Sequence, residues 1–138
     1  MTMPHERMRA LRWGWELLVS LRADSSIPHA LVERAVHLAQ TYPTPNALTL
    51  MLEADQPQLP EGFGDSVDGA RALFEEIQSE GYGSAETRRD TLYTLRHFPL
   101  RGAAVRAADA AMLGSLKNWL APEDATCVAM IWPAHTPK

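Results

Sequence analysis

Three groupings of side chains have the types and spacing that chemistry would need. His29, Glu33 and His37 recur at four-residue steps, which on a helix puts them in one stripe. Two neutral imidazoles and a carboxylate can hold Zn²⁺ or Ni²⁺ loosely. The sequence offers no fourth ligand beside them, and an ordinary polar helix face accounts for the stripe, so no metal is assigned. Cys127 precedes His135 by eight residues, but both sit in a proline-flanked tail. A nucleophilic thiol needs a base held at hydrogen-bond distance and a setting that stabilises the thiolate, and no catalytic residue is assigned there. The third grouping is basic: Arg88, Arg89, Arg96, His97, Arg101 and Arg106, opposed within that stretch by Asp90, with Tyr93 and Phe98 interleaved. Arginine and aromatic side chains so mixed suit a nucleic-acid surface; they equally suit pairing with acidic protein, within the chain or outside it. The glycines of Gly62-Phe63-Gly64 and Gly81-Tyr82-Gly83 follow no strand pattern and read as turns rather than phosphate loops. These residues point to no enzyme class and no cofactor.

Charge is uneven. The net charge of −4 conceals an acidic centre: residues 53–80 carry eight acids, among them Asp65, Asp68, Glu75, Glu76 and Glu80, against Arg71. An acidic chain disfavours nonspecific binding to nucleic acid, whose affinity comes largely from neutralised phosphates. A focused negative field speeds encounter with a basic protein, and Leu59 and Phe63 in the adjoining segment would add apolar contact. Trp13 stands about 200° from Trp15 around a helix, so one of the two is a candidate interface anchor. The expected activity is therefore protein binding. Its sharpest form is an acidic inhibitor or immunity-type protein that meets a basic partner through Asp65, Asp68, Glu75, Glu76, Glu80, Phe63 and Trp13. The alternative is a nucleic-acid-associated regulator using Arg88, Arg89, Arg96 and Arg101, and a homo-oligomer is compatible with either.

The elements that must position these residues are helical. The chain has 138 residues, 46% of them hydrophobic, with 20 Ala and 17 Leu against 6 Val and 3 Ile, a balance that favours helix over strand. A first helix is expected over 4–22, with Met8, Leu11, Trp15 and Leu18 on one face. Pro28 opens a second to Thr41, burying Leu31, Val32, Ala35, Val36, Leu38 and Ala39, and Tyr42-Pro43 ends it. Thr44-Pro45 caps and starts a third reaching Ala54. Residues 55–65, rich in Pro and Gly, read as a linker. Ser66 is expected to cap a fourth helix with Val67, Ala70, Leu73, Phe74 and Ile77 inward. Ser84 caps a fifth with Leu92 and Leu95 inward, ended by Phe98-Pro99. A sixth spans 100–120, and residues 121–138 form a docked tail. The fold is thus expected to be all-α, one domain of about six helices. A single cysteine excludes a disulfide framework. No apolar run approaches membrane-spanning length, and the opening residues lack a signal-peptide pattern, so a cytoplasmic protein is expected.

Tyr42-Pro43 and Phe98-Pro99 stand 56 residues apart. At that offset Leu17, Leu18 and Leu21 fall on Leu73, Phe74 and Ile77, while Val36 and Ala39 fall on Leu92 and Leu95. Two similar three-helix halves, 4–54 and 66–120, would share one core. The opening Met1-Thr2-Met3-Pro4-His5-Glu6-Arg7-Met8-Arg9-Ala10-Leu11, Trp15-Glu16-Leu17-Leu18, Ile27-Pro28 and Tyr42-Pro43 resemble a family of short uncharacterised proteobacterial proteins. The stretch from Arg88 to Pro99 is similar to that family's second segment, which ends in Arg-His-Tyr-Pro. Gln40-Thr41 departs from the family's usual Arg-His. The resemblance implies fold and cytoplasmic context and brings no catalytic residues.

Overall fold

The computed structural model describes residues 4–53 and 62–103. The described residues form five α-helices and no strand: α1 (Pro4–Ser20), α2 (His29–Ala39), α3 (Pro45–Glu53), α4 (Phe63–Glu80) and α5 (Ala85–His97), with one 3₁₀ turn at Leu21–Ala23 after α1. The all-α expectation holds. The expected sixth helix beyond Ala103, the tail, Leu59, and Cys127 with His135 lie outside the described residues. No helix among the described residues is long and apolar enough to cross a membrane.

Local chemistry sets most boundaries. Thr44 Oγ1 accepts from the Ala47 N–H at 3.1 Å and Pro45 occupies the first position of α3, a pairing preorganised for a helix start. Ser84 caps α5 by accepting from the Thr87 N–H. At the end of α4, Gly81 takes φ 67°, and the Gly81 and Tyr82 N–H groups return to the Gln78 and Ile77 carbonyls. This double closure uses the left-handed conformation that glycine adopts without a Cβ penalty.

Four helices close a ring: α1 packs on α2 and α5, and α4 packs on the same two, so α1 lies diagonal to α4. Leu11, Leu18, Leu21, Val67, Leu73, Phe74 and Ile77 fill the centre, joined by Leu48 of α3. Tyr42-Pro43 and Phe98-Pro99 are buried, and their rings converge on Gly14 of α1. The Tyr42 hydroxyl donates to the Leu11 carbonyl at 2.5 Å, and Phe98 meets Phe74 edge-on, with centroids 5.6 Å apart.

Four expectations are corrected. Helix α4 begins at Phe63 rather than after Ser66. Phe63 is 2% exposed and belongs to the core, because burying its ring outweighs the poor helix propensity of Gly64. Ser66, buried one turn in, shares a hydrogen bond with the Thr41 hydroxyl instead of capping. The inner face of α5 is made by Thr87, Thr91 and Thr94, leaving Leu92 51% exposed and Leu95 partly buried. Threonines at 87 and 91 fit there because their hydroxyls are satisfied: Thr91 Oγ1 donates to the Thr87 carbonyl at 2.7 Å, and Thr87 Oγ1 to Asp24 at 2.6 Å. Val36 of α2 is exposed, not buried. Trp15, expected on the buried face with Leu11 and Leu18, is partly buried against the core.

Candidate recognition surface on α1 and α5

The sequence-derived acidic site is dispersed. Asp68 accepts the Gly102 N–H on both carboxylate oxygens, at 3.0 and 3.1 Å. Glu75 meets Arg71 Nε at 3.2 Å and Arg101 Nε at 3.7 Å, and Glu76 meets Arg34 at 2.7 Å. Asp65 and Glu80 are exposed at opposite ends of α4, roughly 22 Å apart at the helical rise. Phe63 is withdrawn into the core, a correction to its assignment as a contact residue. Among the described residues the arginines that offset these acids are Arg34, Arg71 and Arg101.

His29 Nε2 and Glu33 Oε1 pair at 2.9 Å on the exposed face of α2. Among the described residues no three His, Cys, Asp or Glu side chains stand where they could hold one metal ion. His97 instead bridges α5 to α1 through Glu6, at 2.9 Å.

Helix α5 turns the rest of its basic stretch outward. Arg88, Arg89, Leu92, Tyr93 and Arg96 are all exposed, and spacings of three and four residues gather them on one face. Between this face and α1 lies a cleft of about 250 Å³. Buried Leu17 and Thr94 form its floor, half-buried Trp13 and exposed Tyr93 its walls, and Glu16, Asp90 and Arg89 its polar edge. The Arg9 guanidinium lies 5.1 Å from the Trp13 ring centroid, a distance at which cation and ring attract. Arg12 Nε stands 4.0 Å from Glu16 Oε1, and Arg89 Nε 3.6 Å from Asp90 Oδ1. Glu16 Oε2 is buried and receives no hydrogen bond from the described residues.

Trp13, Arg88, Arg89 and Arg96 were singled out in sequence; the structure brings Trp13 and Arg89 together at the cleft. Tyr93 reads in sequence as interleaved with that basic stretch, whereas Glu16, Asp90 and Thr94 are assigned there to no site. Their signal is the packing of α1 on α5, which no local spacing encodes. Comparison of the chain with protein-family models, curated proteins and solved structures finds no match.

Proposed function

We propose that this protein is a protein-interaction module whose contact surface is the outer face of α5 with the adjoining cleft on α1. The observation that carries the reading is the exposure of Leu92 and Tyr93 among Arg88, Arg89 and Arg96, beside Trp13. Tryptophan, tyrosine and arginine are the residue types that dominate binding energy at protein interfaces. Large apolar groups left in water at such a place gain most when a partner covers them. The arginines favour an acidic partner, whereas three of the α4 acids expected to attract a basic one already meet donors within the chain.

Nucleic acid is the second reading, favoured by the same arginines with Tyr93 between them. A long polyanion running past this face would meet a chain of net charge −4, which repels phosphates outside the arginine stripe. A short acidic segment of a protein avoids that cost. Titrating polyglutamate, polylysine and duplex DNA into the isotopically labelled full chain separates the cases. Polyglutamate should shift the amide signals of Arg88, Arg89, Tyr93 and Arg96. Polylysine shifts on α4 alone would return the interface to the acidic helix, and tighter binding of DNA at physiological salt would favour the second reading.

A further inference from the structure

We infer that the α1/α5 cleft is an anchor pocket for one tyrosine or tryptophan side chain carried on an acidic peptide segment; this rests on the reading of the α5 face as a protein-binding surface. Size comes first. At about 250 Å³ the cleft is smaller than the roughly 300–1,000 Å³ that drug-sized ligands occupy, and its dimensions suit one large side chain. Trp13 and Tyr93 supply aromatic walls, against which a third ring packs offset or edge-on.

The polar edge then selects the ring. Carboxylates only accept hydrogen bonds, and two of them, Glu16 and Asp90, stand at the edge of the cleft. A phenol O–H or an indole N–H can donate to such an edge; phenylalanine cannot. A lysine or arginine anchor is disfavoured because cations already attend these acids: Arg12 is beside Glu16, Arg89 beside Asp90, and Arg9 against Trp13. Around the cleft the exposed Arg88, Arg89 and Arg96 complement acidic residues flanking the anchor.

The opposite side of the ring of helices shows why the cleft opens here. Positions 56 residues from Trp13 and Thr94 hold Gly69 and Leu38. There a Leu38 methyl lies against the Gly69 backbone, so close that a Cβ would stand 2.6 Å from it. The hollow on that side is lined by α2 alone, through Ala30, Glu33, Arg34, His37 and Leu38. Leucine against glycine covers one groove; threonine below tryptophan leaves the other open.

Fluorescence anisotropy with the full chain and labelled synthetic peptides tests this. The probes are a glutamate-rich peptide with one central tyrosine, its phenylalanine and alanine versions, a lysine-flanked tyrosine peptide, and a single-stranded oligonucleotide. The tyrosine peptide should bind about tenfold more tightly than the alanine version, a gap of the size one buried anchor gives, with phenylalanine between. Tyr93→Ala, at a half-exposed site, and Thr94→Leu, which fills the floor, should each erase that preference. Arg96→Glu should weaken both peptides equally. Equal binding of the tyrosine and alanine peptides, still sensitive to Arg96→Glu, would overturn the anchor and leave the surface reading standing. Tighter binding of the lysine-flanked peptide would overturn the ligand class. Preference for the oligonucleotide, or no binding of any probe at millimolar concentration, would remove the surface reading together with the anchor.

Discussion

At Gly14 the two aromatic-proline turns meet one helix. A methyl group there would overlap the Tyr42 hydroxyl and lie 2.8 Å from the Phe98 ring. Alanine gains about 1 kcal/mol of helix propensity over glycine, but overpacking a well-filled core costs about 1–3 kcal/mol. Both rings are buried and cannot swing away. Gly14→Ala should therefore lower stability, by about 1 kcal/mol net, in urea unfolding. Gly69→Ala is its control. The atom it would strike is the far end of the flexible, partly buried Leu38, so stability within about 0.5 kcal/mol of the parent is expected. If the two variants behave alike, the aromatic rings do not confine Gly14. Tyr42-Pro43 and Phe98-Pro99 were legible in sequence as helix ends; Gly14 was not, because a glycine inside an apolar pattern reads only as a weak helix position. Its neighbours lie 28 and 84 residues away, beyond any local signal.

Helix α5 shows how an element is mis-phased. Leu92 and Leu95 are the most apolar residues on it, so a hydrophobicity pattern turns them inward. The helix instead buries Thr87, Thr91 and Thr94; the Thr91 hydroxyl bonds back to the Thr87 carbonyl within the helix, and the Thr87 hydroxyl finds an acceptor that only the folded chain supplies. Asp24 is that acceptor, taking the Ser84 N–H and the Thr87 hydroxyl at the start of α5, and the Ser26 N–H in its own loop. Those bonds, the Ser84 N–H foremost, hold its carboxyl well below the ordinary value of 3.8. A carboxylate whose folded pKa is depressed contributes stability in full above its unfolded pKa and loses it as pH falls toward the folded value. Asp24→Asn should cost about 1–2 kcal/mol at neutral pH, the scale of hydrogen bonds to a charged acceptor at a solvated site. The gap between mutant and parent should narrow in urea titrations below about pH 4, where the unfolded chain's carboxyl takes up its proton while the folded one, held low, is still charged. A gap that stays constant with pH would place the cost in geometry rather than charge. Leu92→Gln should leave stability within about 0.5 kcal/mol, as an exposed substitution does.

On the scale of the molecule, composition announced an all-helical fold, and the order of caps and prolines placed the described helices apart from the start of α4. It could not show how charge is shared, because pairing depends on which helices become neighbours. Arg34 reaches Glu76 across 42 residues, and Arg101 reaches Glu75 from beyond the end of α5. The acidic centre that reads as a free field in sequence is partly neutralised, while the basic stripe of α5 faces outward. Reversing each side gives opposite outcomes. Glu75→Lys, Glu76→Lys and Glu80→Lys together break exposed or half-exposed pairs, each worth about 0–1 kcal/mol, and set lysines beside Arg34, Arg71 and Arg101. Helicity by circular dichroism should persist, with stability lowered by about 1–2 kcal/mol, a loss that shrinks as salt screens the repulsion. Binding of an acidic peptide should be retained in that variant, or strengthened by the added positive charge. Arg88→Glu, Arg89→Glu and Arg96→Glu together touch exposed side chains. They should leave the melting curve nearly unchanged, yet weaken the same peptide by more than about tenfold at low salt, where steering and contact both lose their sign. Should the α4 reversals abolish binding while the α5 reversals spare it, the contact surface lies on the acidic helix, and the assignment to α5 is wrong.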